Sequence, residues 1–131
     1  MSQPTVLNVN DEAPIRYVLS RMLKAGGYTV VEAKTGQEGM DRAKDQPDVI
    51  LLDVQLPDIH GYDVCKALKA DPITGKIPIL MISANFVRPA DKDAGLDSGA
   101  DGYLFHPVDT AVLNAEIASL ITRDSDAPTT E

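Results

Sequence analysis

The sequence predicts an α/β fold: a doubly wound, five-stranded parallel sheet, flavodoxin-like, with helices on both faces. Three observations carry this expectation. Short apolar runs alternate five times with stretches of helical period. The central run, Val49-Ile50-Leu51-Leu52, has no polar residue at alternate positions. That pattern suits a strand covered on both faces, although periodicity alone also admits a buried helix. The links are short, as right-handed βαβ crossovers require.

Thr5 to Val9 reads as the first strand, running into the polar loop Asn10-Asp11-Glu12. Pro14 suits a first helical turn, and Ile15, Val18, Leu19, Met22 and Leu23 form one apolar helical stripe that Gly26-Gly27 stops. Tyr28 to Glu32 is rich in strand-forming residues. Thr35 and Glu38 form a capping box for a second helix through about Lys44, and Pro47 closes that unit. The central strand then runs into Asp53. A third helix spans about Tyr62 to Ala70, broken by Asp71-Pro72. Ile77 to Ser83 is the fourth strand, with Pro78 near its start, where a missing N–H is tolerated. Val87 to Ser98 is a weak helix with Gly95 inside it, expected to be the most mobile element, and Gly99 caps it. Gly102 to Phe105 is the fifth strand, ending at His106-Pro107. Asp109 caps a last helix striped by Val112, Leu113, Ile117, Leu120 and Ile121. One domain over residues 5–122 is expected, with a tail at 1–4 and a flexible tail or linker at 123–131.

The bulk numbers narrow the function. A length of 131 residues with 44% hydrophobic and 24% charged residues is that of one globular domain. The net charge of -8 argues against direct binding of nucleic acid or an anionic membrane. The single Cys65 forms no internal disulfide and reads as a small buried hydrophobe. With no signal-like N-terminus and no apolar run long enough to span a membrane, a cytoplasmic setting is expected.

Right-handed crossovers bring the carboxyl ends of all strands to one edge, gathering Asn10-Asp11-Glu12, Asp53, Ser83 and His106. Asp11 and Asp53 held close repel each other and have oxygens to spare. A hard cation relieves both conditions, and Mg²⁺, which takes one or two carboxylates and keeps several waters, suits them best. Asp53 could then be a nucleophile forming an acyl phosphate. Ser83 could hydrogen-bond a phosphoryl oxygen and protonated His106 could pair with another. Each residue alone also has a structural reading: Asp11 as a helix cap, Asp53 as a turn residue, Ser83 as a strand end, His106 as the residue before a structural proline.

Several motifs in order sharpen this: Val9-Asn10-Asp11-Glu12, Leu52-Asp53-Val54-Gln55-Leu56-Pro57-Asp58-Ile59-His60-Gly61, Ile82-Ser83-Ala84, Gly99-Ala100-Asp101-Gly102-Tyr103 and His106-Pro107. With them the chain resembles, over about residues 4 to 122, the receiver domain of two-component response regulators. The resemblance implies strand order 2-1-3-4-5, a cis bond before Pro107, and phosphorylation of Asp53 by a histidine kinase or phosphotransfer domain. It implies Mg²⁺ held by Asp11, Asp53 and the Gln55 backbone carbonyl, with Asn10 acting through a water, and a switch pair of Ser83 and Tyr103. Self-phosphorylation and autodephosphorylation would be its only catalysis. The family's interaction face, made by the helix before the fifth strand, that strand and the last helix, would meet a downstream protein, another domain of a longer chain, or a second copy in a homodimer.

Two positions depart from the family pattern. Asn10 stands where an acid is usual, which implies weaker Mg²⁺ binding, and His106 stands where lysine is usual. Imidazole is shorter and half charged only near pH ~6.5, so its phosphate contact would be weaker or pH-dependent. These departures support an alternative, a degenerate receiver used as a phosphorylation-independent interaction module. Placement ahead of sensor or kinase modules, as in hybrid histidine kinases, is a further expectation. Other chemistries fit less well. A haloacid-dehalogenase-type phosphatase needs a second acid where Gln55 stands, a cobalamin motif needs a glycine at another spacing after His60, and a nucleotide site needs a glycine-rich loop after the first strand.

Overall fold

The computed structural model describes residues 3–83 and 96–126. Its strands are β1 (Thr5–Val9), β2 (Thr29–Ala33), β3 (Val49–Asp53), β4 (Ile79–Ser83) and β5 (Gly102–Phe105). All pair in parallel, in the order β2-β1-β3-β4-β5. Helices α1 (Ala13–Ala25), α2 (Gly36–Ala43), α3 (Gly61–Ala70) and a C-terminal helix (Thr110–Asp126) flank the sheet. The predicted fold class and strand order are the observed ones.

β3 is buried at every position because both of its faces are covered. On one face Val9, Leu52 and Met81 pack with Val64, Cys65 and Leu68 of α3. On the other, Leu51, Leu80 and Ile82 pack with Leu19 and Leu23 of α1 and Leu113 and Ile117 of the C-terminal helix. Cys65 is fully buried, as its helical spacing suggested.

Element ends differ from the expected bounds for local reasons. β2 starts at Thr29, because the Tyr28 N–H closes the end of α1 on the Leu23 carbonyl at 3.2 Å. β4 starts at Ile79: Pro78 has no N–H to donate, yet its carbonyl accepts from Ile50 N at 2.9 Å. At α2 the Thr35 side chain accepts from Glu38 N, but Glu38 returns its carboxylate to Lys34 N instead of Thr35 N, a capping box displaced by one residue. Asp109 caps the C-terminal helix through Ala111 N at 3.0 Å. That helix continues to Asp126, into the stretch from 123 expected as a flexible tail or linker. Most of the expected helix over Val87–Ser98 lies outside the described residues; at its end Gly99 has φ +109°, a left-handed conformation suited to glycine. The His106-Pro107 bond is cis.

Candidate functional site

Parallel pairing carries the ends of β1, β3 and β4 to one edge, where a cleft of about 230 Å³ opens. Asn10, Asp11, Glu12, Asp53, Gln55 and Ser83 line it. Five of the seven residues singled out from sequence, Asn10, Asp11, Asp53, Gln55 and Ser83, therefore share one cavity. His106 and Tyr103 are not among its lining residues.

Asp53 ends β3 with 7% of its surface exposed. Burial, and then the neighbouring carboxylates of Asp11 and Glu12, push its pKa up to about 7, against the opposing pull of the Val54 and Gln55 backbone N–H groups. The loop after Asp53 turns back sharply, with Gly61 N donating to Val54 O at 2.7 Å. A Cβ on Gly61 would stand 2.5 Å from the Asp53 carbonyl oxygen and 2.7 Å from that of Val54, so only glycine admits this close approach.

Asp11 is exposed and does not cap α1. The N-cap is Glu12, whose side chain makes no capping hydrogen bond. Asn10 is buried, and its side-chain oxygen accepts from Glu12 N at 2.9 Å, the local turn typical of asparagine. The Asn10 backbone oxygen accepts from Arg16 Nη1 at 2.8 Å. Arg16 is itself tied to Glu32, which also accepts from Ser20 Oγ at 2.6 Å, and Ser20 Oγ accepts from Asn8 Nδ2 at 3.0 Å. A polar network, buried at Asn8, Asn10, Arg16 and Ser20 and open to solvent at Glu32, thus anchors the acidic loop.

Ser83 ends β4, buried, and its carbonyl accepts from His106 N at 2.8 Å. The half-buried His106 side chain keeps Nε2 away from solvent and without a hydrogen-bond partner among the described residues. Burial lowers its pKa below the usual histidine value, and the Glu12 carboxylate offsets part of that shift. The imidazole is therefore neutral at pH 7, whereas the phosphate contact read from sequence needs it protonated. Tyr103 lies on the α3 side of the sheet, in register with Met81, and is 6% exposed. Its hydroxyl is 3.2 Å from that of Tyr62, and its ring centroid is 5.3 Å from that of Phe105.

The donor set fits Mg²⁺. The oxygens at the cleft are hard, and after burial the carboxylates of Asp11 and Glu12 are what raise Asp53, so a divalent cation there offsets the part of the shift that those two acids impose. Asp11, Asp53 and the Gln55 carbonyl are the residues that would hold it.

Four residues around the site had been assigned no role from the sequence. Glu12 acts on both Asp53 and His106. Arg16 sits within an amphipathic helix and looks like any solvated arginine. Asp58 accepts from Gly36 N at 2.8 Å and Gln37 N at 2.9 Å, capping α2 from the β3–α3 loop, and these bonds hold its carboxyl below the usual range. Tyr62 reaches Tyr103. Only Glu12, beside Asp11, carried a local signal.

A family model described as "response regulator receiver domain" matches residues 6–118. The chain is 38% identical over 126 residues to the DNA-binding dual master transcriptional regulator RpaA of a Synechocystis species, an alignment that covers 95% of this chain and 52% of RpaA. It thus spans about half the length of that relative. Among solved structures it is similar to the chemotaxis protein CheY4 of Vibrio cholerae, with TM-score 0.84, 31% identity and coverage of 91% of this chain and 99% of that one. It is also similar to the receiver domain of the sensor histidine kinase PA1611 of Pseudomonas aeruginosa, with a magnesium ion coordinated in the active site cleft; there the TM-score is 0.85, the identity 28%, and the coverage 92% and 99%.

Proposed function

Because the chain belongs to the response regulator receiver domain family, we propose that it accepts a phosphoryl group on Asp53 from a histidine kinase or phosphotransfer domain and passes the change to a protein partner. The observation that carries this reading is a buried strand-end carboxyl crowded by Asp11 and Glu12 in an open cleft. Bound Mg²⁺ would neutralise charge between those carboxylates and the phosphoryl oxygens. An Asp53 oxygen forms the new bond to phosphorus as the donor's bond breaks. Ser83 Oγ, at the adjoining strand end, donates to a phosphoryl oxygen and pairs functionally with Tyr103. Asn10 contributes no charge, so Mg²⁺ binds less tightly than with a second acid there. His106, uncharged, serves as a neutral hydrogen-bonding group, and an arriving phosphoryl dianion favours its protonation.

The readout face includes β5 and the C-terminal helix, where Phe105 is 40% and Val112 49% exposed. Its partner would be a downstream protein, an output domain of a longer polypeptide, or a second copy. Among the described residues no helix is long and apolar enough to cross a membrane.

A second reading has support of its own. The uncharged His106 and the already buried Tyr103 suit a degenerate receiver that docks without being phosphorylated. Incubation with Mg²⁺ and a small acyl phosphate, followed by intact mass, separates the two. A gain of about 80 Da, the mass of HPO₃, that is lost in Asp53→Asn supports phosphorylation. No gain, with no response to Mg²⁺ titration, leaves the docking module.

A further inference from the structure

Tyr62 is the second residue of α3, and its ring is held by the residue before the helix. His60 Nδ1 accepts from Tyr62 N at 3.1 Å, capping α3, and the two rings meet edge to face with centroids 4.6 Å apart at 64°. From that base the phenol reaches the Tyr103 hydroxyl at 3.2 Å, a contact between residues 41 positions apart. Tyr103 projects on the face that α3 covers, beside Met81 and Cys65 in the same apolar cluster. Tyr103 is buried there, 6% exposed.

We propose that Tyr62 is a positioning residue that latches Tyr103 in its buried place. The proposal rests on reading Ser83 and Tyr103 as the switch pair, and it names a contact that holds one of that switch's two positions. A neutral hydroxyl pair shifts a local equilibrium by about fivefold. That is enough to bias a ring between two positions and small enough for a new phosphoryl contact at Ser83 to take its place. The latch is also hard-wired to the functional loop: His60 and Gly61, which set the start of α3, follow directly from the turn that carries Asp53.

Two measurements on the full chain test this. Urea unfolding of Tyr62→Phe, Tyr103→Phe and the double variant forms a thermodynamic cycle. Coupling of about fivefold in the unfolding constant is expected, and additivity overturns the latch. Nitration by tetranitromethane, mapped by peptide mass, reports ring exposure directly. Tyr62→Phe, which keeps the ring, is expected to speed nitration of Tyr103 several-fold while Tyr17, 60% exposed, reacts at an unchanged rate as the internal control. Equal rates at Tyr103 overturn the proposal. Repeating the nitration with Mg²⁺ and a small acyl phosphate addresses the underlying reading separately. Closure of the gap between Tyr62→Phe and the parent chain supports the switch, whereas an unchanged gap on a chain that gains about 80 Da overturns the Ser83–Tyr103 switch and leaves the latch standing.

Discussion

Asp53, the last residue of β3, is buried and has two carboxylates, Asp11 and Glu12, as its neighbours, while Asp58, in the loop leaving that strand, is exposed and accepts two backbone N–H groups at the start of α2. The same side chain is pushed to about 7 in the first place and held below its ordinary value in the second. The difference separates two uses of a carboxylate. Asp58 has its charge satisfied by the fold and helps join the β3–α3 loop to α2. Asp53 is left with a charge that the fold does not satisfy, the condition under which a cation and an electrophile become favoured partners.

Substitution of Gly61, which closes the loop carrying both carboxylates, gives the largest expected effect. Gly61→Ala places a Cβ against the Asp53 and Val54 backbone, and the unfolding free energy falls by about 2–3 kcal/mol in a urea titration. An unchanged midpoint would mean that the loop holding Asp53 yields freely and that the two environments are not rigidly separated.

The second effect is a pH slope. Without divalent metal, folded Asp53 keeps a proton to about pH 7 while the unfolded chain releases it near 3.8, so the folded state binds more protons between those values. Stability therefore falls as pH rises through that window and is flat above it. Asp53→Asn removes the slope and raises stability at pH 8 by about 1–2 kcal/mol, a figure discounted for water at the cleft mouth. Melting curves from pH 4 to 8 check this, and saturating Mg²⁺ should shrink the gap between parent and variant.

The smallest effect belongs to Asp58, and its sign is opposite. Its stabilisation is present above the unfolded carboxyl pKa and fades as pH falls through the lowered folded value. Asp58→Ala lowers the melting temperature at pH 7 by less than Gly61→Ala does, loses that difference in acid, and leaves the mass gain at Asp53 intact. Loss of the mass gain would show that the α2 cap and the acceptor site are one unit.

The alternation of elements was legible because strand and helix periods are local properties of neighbouring residues. Val49 to Leu52 announced a strand covered twice, and Thr35 announced a cap. Strand order was legible only through the family resemblance, since no local pattern says which strands adjoin. The gathering of Asp11, Asp53 and Ser83 followed from the rule that parallel strands end on one edge. Partners across the fold were not legible. Arg16 with Glu32, Asp58 with α2, and Tyr62 with Tyr103 each join segments whose separation only packing sets. The ionisation of His106 was equally out of reach, because burial depends on what surrounds the ring.

Taken alone, the sequence determined the element order, the buried character of the central strand and the edge on which chemistry would collect, because these follow from side-chain period and chain connectivity. Tertiary structure decided how that edge behaves. It buried Asp53 beside two acids, bound Asn10 into a turn over Arg16, left His106 neutral and set Tyr103 against Tyr62. Desolvation and hydrogen-bond geometry arise only when distant segments meet.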